Sequence, residues 1–319
     1  MTIRKYRSEF ALNVYGNFNL LLQQSDFDDL EKANGFHGFE ENPCHIYMIC
    51  RRQRITFDPD AFRVTPGTIA GAIGIHCRDK VERFPFLMDN SKQQPCIKIE
   101  CPYPHTGARF LNETEGGIQI KAPVLAGMNN ILPEHLELEV LYVGQSFGVE
   151  GARTAPQRLR SHSTLQGIYA EAIANSPDKD IWLLLWSFES EWITAIDGRK
   201  QVMVTTSDAE DMDHIKNVLD HEITEQLEIN LAEAGLIRYF RPEYNKIYKD
   251  TFPNPAHITY AKCYDLDLNM VNVEINTEGL GSKLKSSARP ASWIHYATYP
   301  FHSPEERKAM FENLNWPNS

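Results

Sequence analysis

The sequence predicts an α+β fold. Two observations carry that prediction. From residue 138 onward, apolar strand-like runs alternate with helix-length segments in the order strand, helix, strand, long helix, with a β-rich tail after them. Before that point, short strand candidates are separated by Pro, Gly and Asn punctuation. A length of 319 residues suits two domains, or one with large additions. The elements divide the chain into an N-terminal α+β region (1–135), a central unit (136–250) and a C-terminal extension of a β-hairpin and a helix (251–319).

In the N-terminal region the strand candidates are His45–Arg51, Cys96–Cys101 and Gly117–Leu125, and Arg51, Arg52 and Arg54 lie close together. Leu138–Val143 is an apolar, β-branched strand ended by Gly144, and a Gly-containing loop follows at Phe147–Gly151. Thr154 or Ala155 leads into Pro156, a favoured first helical position, and the helix stops before Asn175, Ser176 and Pro177. Ile181–Phe188 is a continuous apolar run with the character of a central strand. Ser207 and Glu210 form a capping box that opens a helical region reaching Phe240, interrupted near His221 and ended by Pro242. His257–Tyr264 and Met270–Ile275 read as strands, and Ser303, Pro304 and Glu306 open a last short helix. Lys283, Lys285 and Arg289 form a basic stretch before it.

At 42% hydrophobic and 24% charged residues, the composition is that of a folded protein. The longest apolar run, Ile181–Trp186, is far short of the ~20 residues that span a bilayer, so no membrane association is expected. The N-terminus has basic residues but no apolar stretch after them, and six cysteines are sparse for a disulfide scaffold. A cytoplasmic protein with free thiols is expected. Cys96, Cys101 and His105 cluster, with Cys44–His45 and His76–Cys77 upstream, but no CxxC pair supports a zinc site, and bystander thiols are the expectation. The net charge of −11 argues against coating nucleic acid through bulk charge.

Three groups are out of place. Glu233 shares a helical face with Ile229, Leu236 and Ile237, so its carboxylate is at least partly desolvated and needs a cation or hydrogen-bond donors: the plain reading is an ion pair with an Arg, the sharper one a divalent-metal ligand. Arg158 and His162, spaced i and i+4, meet on one helix face, as a solvated basic patch or as a phosphate clamp. Tyr142 stands where the strand meets the loop before that helix.

Read together, these residues resemble the GIY-YIG nuclease family. LYVGQS (Leu141–Ser146) resembles the second half of the name motif. RLRSH (Arg158–His162) matches the family's Arg-x-x-x-His. EAGLIRYFRPEYN (Glu233–Asn245) is similar to a segment of the bacterial excision-repair incision subunit. The resemblance covers about a third of the chain. It implies a small antiparallel sheet flanked by helices. It also implies Glu233 as ligand to one Mg2+ (or Mn2+), Arg158 as phosphate clamp, His162 and Tyr142 orienting or deprotonating the nucleophile, and Asn245 supporting the site. Arg153, Arg160, Gln145, Tyr244 and Lys246 are the accompanying substrate contacts. The family's first Gly-x-Tyr belongs about ten residues before Tyr142, where MNNILPEHLELEV has no tyrosine. Gly117, Ile118 and Gln119, or His135, are the replacements in reach.

The expected function is therefore metal-dependent hydrolysis of DNA phosphodiesters, in a setting such as restriction or phage defence, with a homodimer as the natural assembly for cutting both strands. The alternative is a module that kept the architecture and binds nucleic acid or protein without cutting. Charge by segment fits a nuclease. Residues 207–230 carry eight acids (Asp208, Glu210, Asp211, Asp213, Asp220, Glu222, Glu225, Glu228) against Lys216 alone, whereas Arg153–His162 has three Arg and no acid. The acidity lies beside the proposed site, on what reads as a solvated helix face.

Overall fold

A computed structural model describes residues 4–28, 38, 41–91, 94–114, 116–129, 133–148, 155–198 and 203–313. The chain begins with β1 (Ser8–Leu22) and β2 (Ile46–Gln53), two long strands. An inserted unit follows, containing β3 (Ile55–Phe57), β4 (Arg63–Val64), β5 (Thr68–Cys77), β6 (Lys80–Asp89), β7 (Lys98–Glu100), β8 (Gly107–Leu111), β9 (Gly117–Lys121) and α1 (Ala122–Met128). The chain then returns through β10 (Leu138–Gln145), α2 (Ala155–Leu159), α3 (Ser163–Asn175), β11 (Lys179–Ile196), α4 (Asp208–Leu219) and α5 (Glu225–Phe240). It closes with α6 (Ala261–Asp265), β12 (Met270–Asn276), β13 (Leu284–Lys285) and β14 (Ile294–Pro300).

The expected small antiparallel sheet flanked by helices is overturned. The centre is a mixed seven-stranded sheet in the order β13-β10-β2-β11-β1-β12-β14. The pairs β10/β2, β2/β11, β11/β1 and β12/β14 are antiparallel, whereas β12 is parallel to β1 and β13 is parallel to β10. Two of the seven strands, β10 and β11, come from residues 136–250; the flanks supply the rest. The physical reason lies in β11. Ile181–Trp186 is buried on both faces, so it needs a paired strand on each side and helices above and below. β2 and β1 supply those strands, through unbroken registers along Ile46–Gln53 and from Ser8 to Leu22 with one bulge at Gly16.

One face of the sheet packs on α5, with Phe10, Leu12, Met48, Leu184 and Trp186 against Leu231, Leu236 and Phe240. Gly235 lets this helix approach, since a Cβ there would fall 2.6 Å from Val273. The other face carries Tyr47, Ile49, Leu183 and Leu185 against Leu159, Leu165 and Ile168 of α2 and α3. The inserted unit has its own core, with Phe57, Ile73, Phe86 and Phe110 over Leu125. It contains a four-stranded and a three-stranded sheet.

Other local expectations also shift. The helix opened by Pro156 breaks after Leu159 and restarts at Ser163, because His162 caps the second segment. The capping box at Ser207 is present, and the helical region divides into α4 and α5. His257–Tyr264 is a 3-10 turn and α6 rather than a strand: its aromatics pack inward from one side, with Tyr260 on Phe252 and His257. Residues 303–306 keep their reciprocal cap bonds but form a turn instead of a helix. The arginine trio is structural. Arg51 pairs with Glu139 at 2.7 Å and Arg54 with Asp180 at 2.9 Å, and Arg52 lies 4.0 Å from the Trp182 ring.

Candidate active site

The site forms where β2 and β10 lie side by side. Gly144 stands opposite Tyr47, and Tyr142 opposite Ile49 after a bulge that turns the Tyr142 ring toward the α2–α3 face. The rings of Tyr47 and Tyr142 stack with centroids 6.2 Å apart. A Cβ on Gly144 would meet the Tyr47 hydroxyl at 2.6 Å and the Tyr142 ring at 2.7 Å. The glycine is what lets two large rings share this corner.

His162 reaches the corner from the cap of α3. The Leu165 amide donates to His162 Nδ1 at 3.2 Å, and His162 Nε2 lies 3.0 Å from the Tyr47 hydroxyl. Because Nδ1 accepts a backbone amide, a neutral ring carries its proton on Nε2 and donates it to Tyr47. The break between α2 and α3 thus serves the site: a continuous helix would leave no cap position for this ring. Arg158, in the last turn of α2, brings its positive charge near both tyrosine hydroxyls. Burial pushes the Tyr47 and Tyr142 hydroxyls above the ordinary tyrosine value, and the Arg158 charge opposes this at each.

Glu233 projects from α5, and its charge acts on both rings. Gln145 Nε2 donates to Glu233 at 2.7 Å and to Asn230 at 3.0 Å. Burial pushes the Glu233 carboxyl up to about 7, against the opposing Gln145 bonds. Among the described residues no cation acts on it. Of the two readings of a carboxylate on an apolar face, the ion pair with an Arg is the one these contacts do not supply. A half-buried carboxylate held by Gln145 keeps acceptor capacity that suits a hard divalent cation.

The remaining predicted residues divide. Asn245 is buried and brackets Val143, accepting from its amide at 2.9 Å and donating to its carbonyl at 2.8 Å, so it holds β10 in place. The Tyr244 hydroxyl donates to Glu171, and its amide donates to the Leu141 carbonyl at 3.1 Å. Arg160 is exposed and forks onto Asp28 at 3.1 Å. Lys246 is exposed. Arg153 lies outside the described residues.

Tyr47 is the residue that sequence reasoning missed. It ends His45-Ile46-Tyr47 at the start of a strand, a readable signal hidden by its distance from Tyr142 along the chain. The inserted unit fills that interval. Gly117, Ile118 and Gln119 sit on β9 in the insertion's three-stranded sheet, and His135 packs near Phe84, so neither replaces a tyrosine at this corner. The N-terminal thiols do not assemble a centre either. Cys101 Sγ is 3.8 Å from His105 Nδ1, and no group of three or more His, Cys, Asp or Glu converges among the described residues. No helix among them is long and apolar enough to cross a membrane.

No protein-family model matches the chain, and neither a curated protein nor a solved structure does.

Proposed function

We propose that this protein is a divalent-metal-dependent DNA endonuclease using the GIY-YIG motif residues, with Tyr47 as the tyrosine of the first half-motif. One observation carries the reading: a half-buried carboxylate, Glu233, accepts from Gln145, the residue after Gly144, over which the Tyr47 and Tyr142 rings stack, and His162 Nε2 lies 3.0 Å from the Tyr47 hydroxyl. Glu233 would hold the metal, with Gln145 orienting the carboxylate. A bound Mg2+ or Mn2+ supplies charge that polarises the phosphoryl oxygens and lowers the pKa of groups beside it.

The chain's own groups do the rest. Arg158, partly exposed, presents a planar fork suited to a phosphate oxygen. Burial and the Glu233 charge keep the Tyr47 hydroxyl protonated in the metal-free protein. For Tyr47 to take the proton of the attacking water its own proton must first leave to solvent, with the Arg158 charge and a bound cation offsetting the tyrosinate. Tyr142 lines the same corner and orients that water. Tyr47 stands beside Tyr142 where the first half-motif wants a tyrosine, which supports the cutting reading over a module that only binds.

The test is incubation of wild type and Glu233→Ala with circular, linear and single-stranded DNA, with and without magnesium. Wild type cuts only with metal, and Glu233→Ala folds but does not cut. Undiminished cleavage by that variant sinks the assignment. Tyr47→Phe keeps the fold and lowers the rate by about a hundredfold.

A further inference from the structure

The inserted unit meets the end of β1 around a cavity of about 270 Å3. Pro102, Tyr103 and Pro104 line it together with the polar residues Gln23, Ser25, Thr106 and Gln119. The charged residues Asp26, Arg109 and Lys121 line it as well. Tyr103 is 88% exposed, so packing does not account for it. Its loop is nonetheless held firmly. The His105 amide donates to the Pro102 carbonyl at 2.8 Å, the Phe57 amide donates to the His105 carbonyl at 2.7 Å, and the His105 ring stands edge-on to Tyr103. His105 itself takes a left-handed φ of 66° to make this turn.

The charges around the cavity are matched. Lys121 bonds Asp26 and Gln23, and Arg109 lies 3.5 Å from Glu100. The Gln23 oxygen is taken by Lys121 and the Ser25 hydroxyl donates to Asp26. What remains on offer is an aromatic face with proline flanks, the Gln119 amide and the Thr106 hydroxyl, neutral groups that both donate and accept hydrogen bonds. That set fits a flat, uncharged heteroaromatic ring better than a phosphate.

We propose that this cavity takes an unpaired nucleobase of the DNA strand, stacked on Tyr103 and held at its edge by the Gln119 amide and the Thr106 hydroxyl. The inference rests on the nuclease reading for its ligand class, and it makes the insertion a substrate-reading element. A base extruded from a duplex costs unstacking energy, so the site favours single-stranded, flapped or mismatched DNA.

The experiment uses the full chain carrying Glu233→Ala, with fluorescence anisotropy of a labelled single-stranded oligodeoxynucleotide. Adding Tyr103→Ala weakens binding by about tenfold or more, whereas Tyr103→Phe, which keeps the ring, binds like its parent. An oligonucleotide with a single abasic position binds the parent more weakly but binds the Tyr103→Ala protein no worse than intact DNA. Equal affinity of Tyr103→Ala and parent, an equal abasic loss in both, or no single-strand binding by the parent each overturns the proposal. Cleavage by wild type is assayed separately. Tyr103-dependent binding without any cutting overturns the nuclease reading and leaves the cavity standing. Cutting with Tyr103-independent binding does the reverse.

Discussion

Two half-buried carboxylates in this molecule have opposite surroundings. Asp267, just after α6, gathers the chain ends: Lys5 bonds it, Arg307 lies 2.7 Å away and His302 3.2 Å away. Burial pushes its pKa up, but the bonds from His302 and Lys5 and the charges of Arg307 and Lys5 outweigh it and hold the carboxyl well below its usual range. Glu233, on α5, is also half-buried, accepts from Gln145, and is pushed up to about 7 by burial. The first carboxylate stabilises the fold; the second costs stability unless a cation joins it. A charge buried without compensation marks function more reliably than one that is fully paired.

The largest expected effect separates the two by activity. Glu233→Ala lowers cleavage by about a thousandfold with no fall in melting temperature, while Asp267→Asn leaves chemistry intact in the folded fraction. If the Glu233 variant melts earlier and still cuts, the contrast fails. Next comes stability. Asp267→Asn strands Arg307 and Lys5 and costs about 3 kcal/mol, read by denaturant unfolding at pH 7. Because its folded pKa is depressed, that stability is present above the unfolded value and is lost as pH falls through the folded one. The gap between wild type and Asp267→Asn should therefore close in strong acid.

Gly144→Ala tests the tyrosine corner. The added methyl displaces the Tyr47 hydroxyl or the Tyr142 ring, and cleavage falls by about a hundredfold with a modest loss of stability. Activity like wild type would remove those rings from the mechanism. The smallest effect concerns pH. Glu233's folded pKa lies above its ordinary 4.5, so the metal-free protein loses stability as pH rises from there to about 7. Glu233→Gln removes that loss, raising stability by about 2 kcal/mol at pH 8 and by little at pH 4. Saturating magnesium should narrow the difference at pH 8, since the cation offsets the same charge.

Local chemistry was legible where it depended on neighbours in sequence. The capping box at Ser207, the strand at Met270–Ile275 and the odd position of Glu233 all follow from spacings of three or four residues or from alternation. The acidic run of 207–230 was only half legible. Asp211, counted with a solvated face, is buried and accepts from the Arg7 and Ser8 amides and the Ser8 hydroxyl. Nothing in its own helix announces a partner two hundred residues away.

The sequence by itself determined the element types around the site, the apolar central strand at Ile181–Phe188, and the carboxylate, arginine and histidine that stand out against their surroundings. Tertiary structure alone decided the size of the sheet and which tyrosine completes the corner. The reason is that β pairing is non-local. Ser8–Leu22 has no strand identity until β11 and β12 lie beside it, and Tyr47 has no tie to Tyr142 until β2 and β10 pair around the insertion. The uncompensated state of Glu233 was decided in the same way, because burial can be read from a helix face but the absence of a cation among the described residues depends on every segment packed around it.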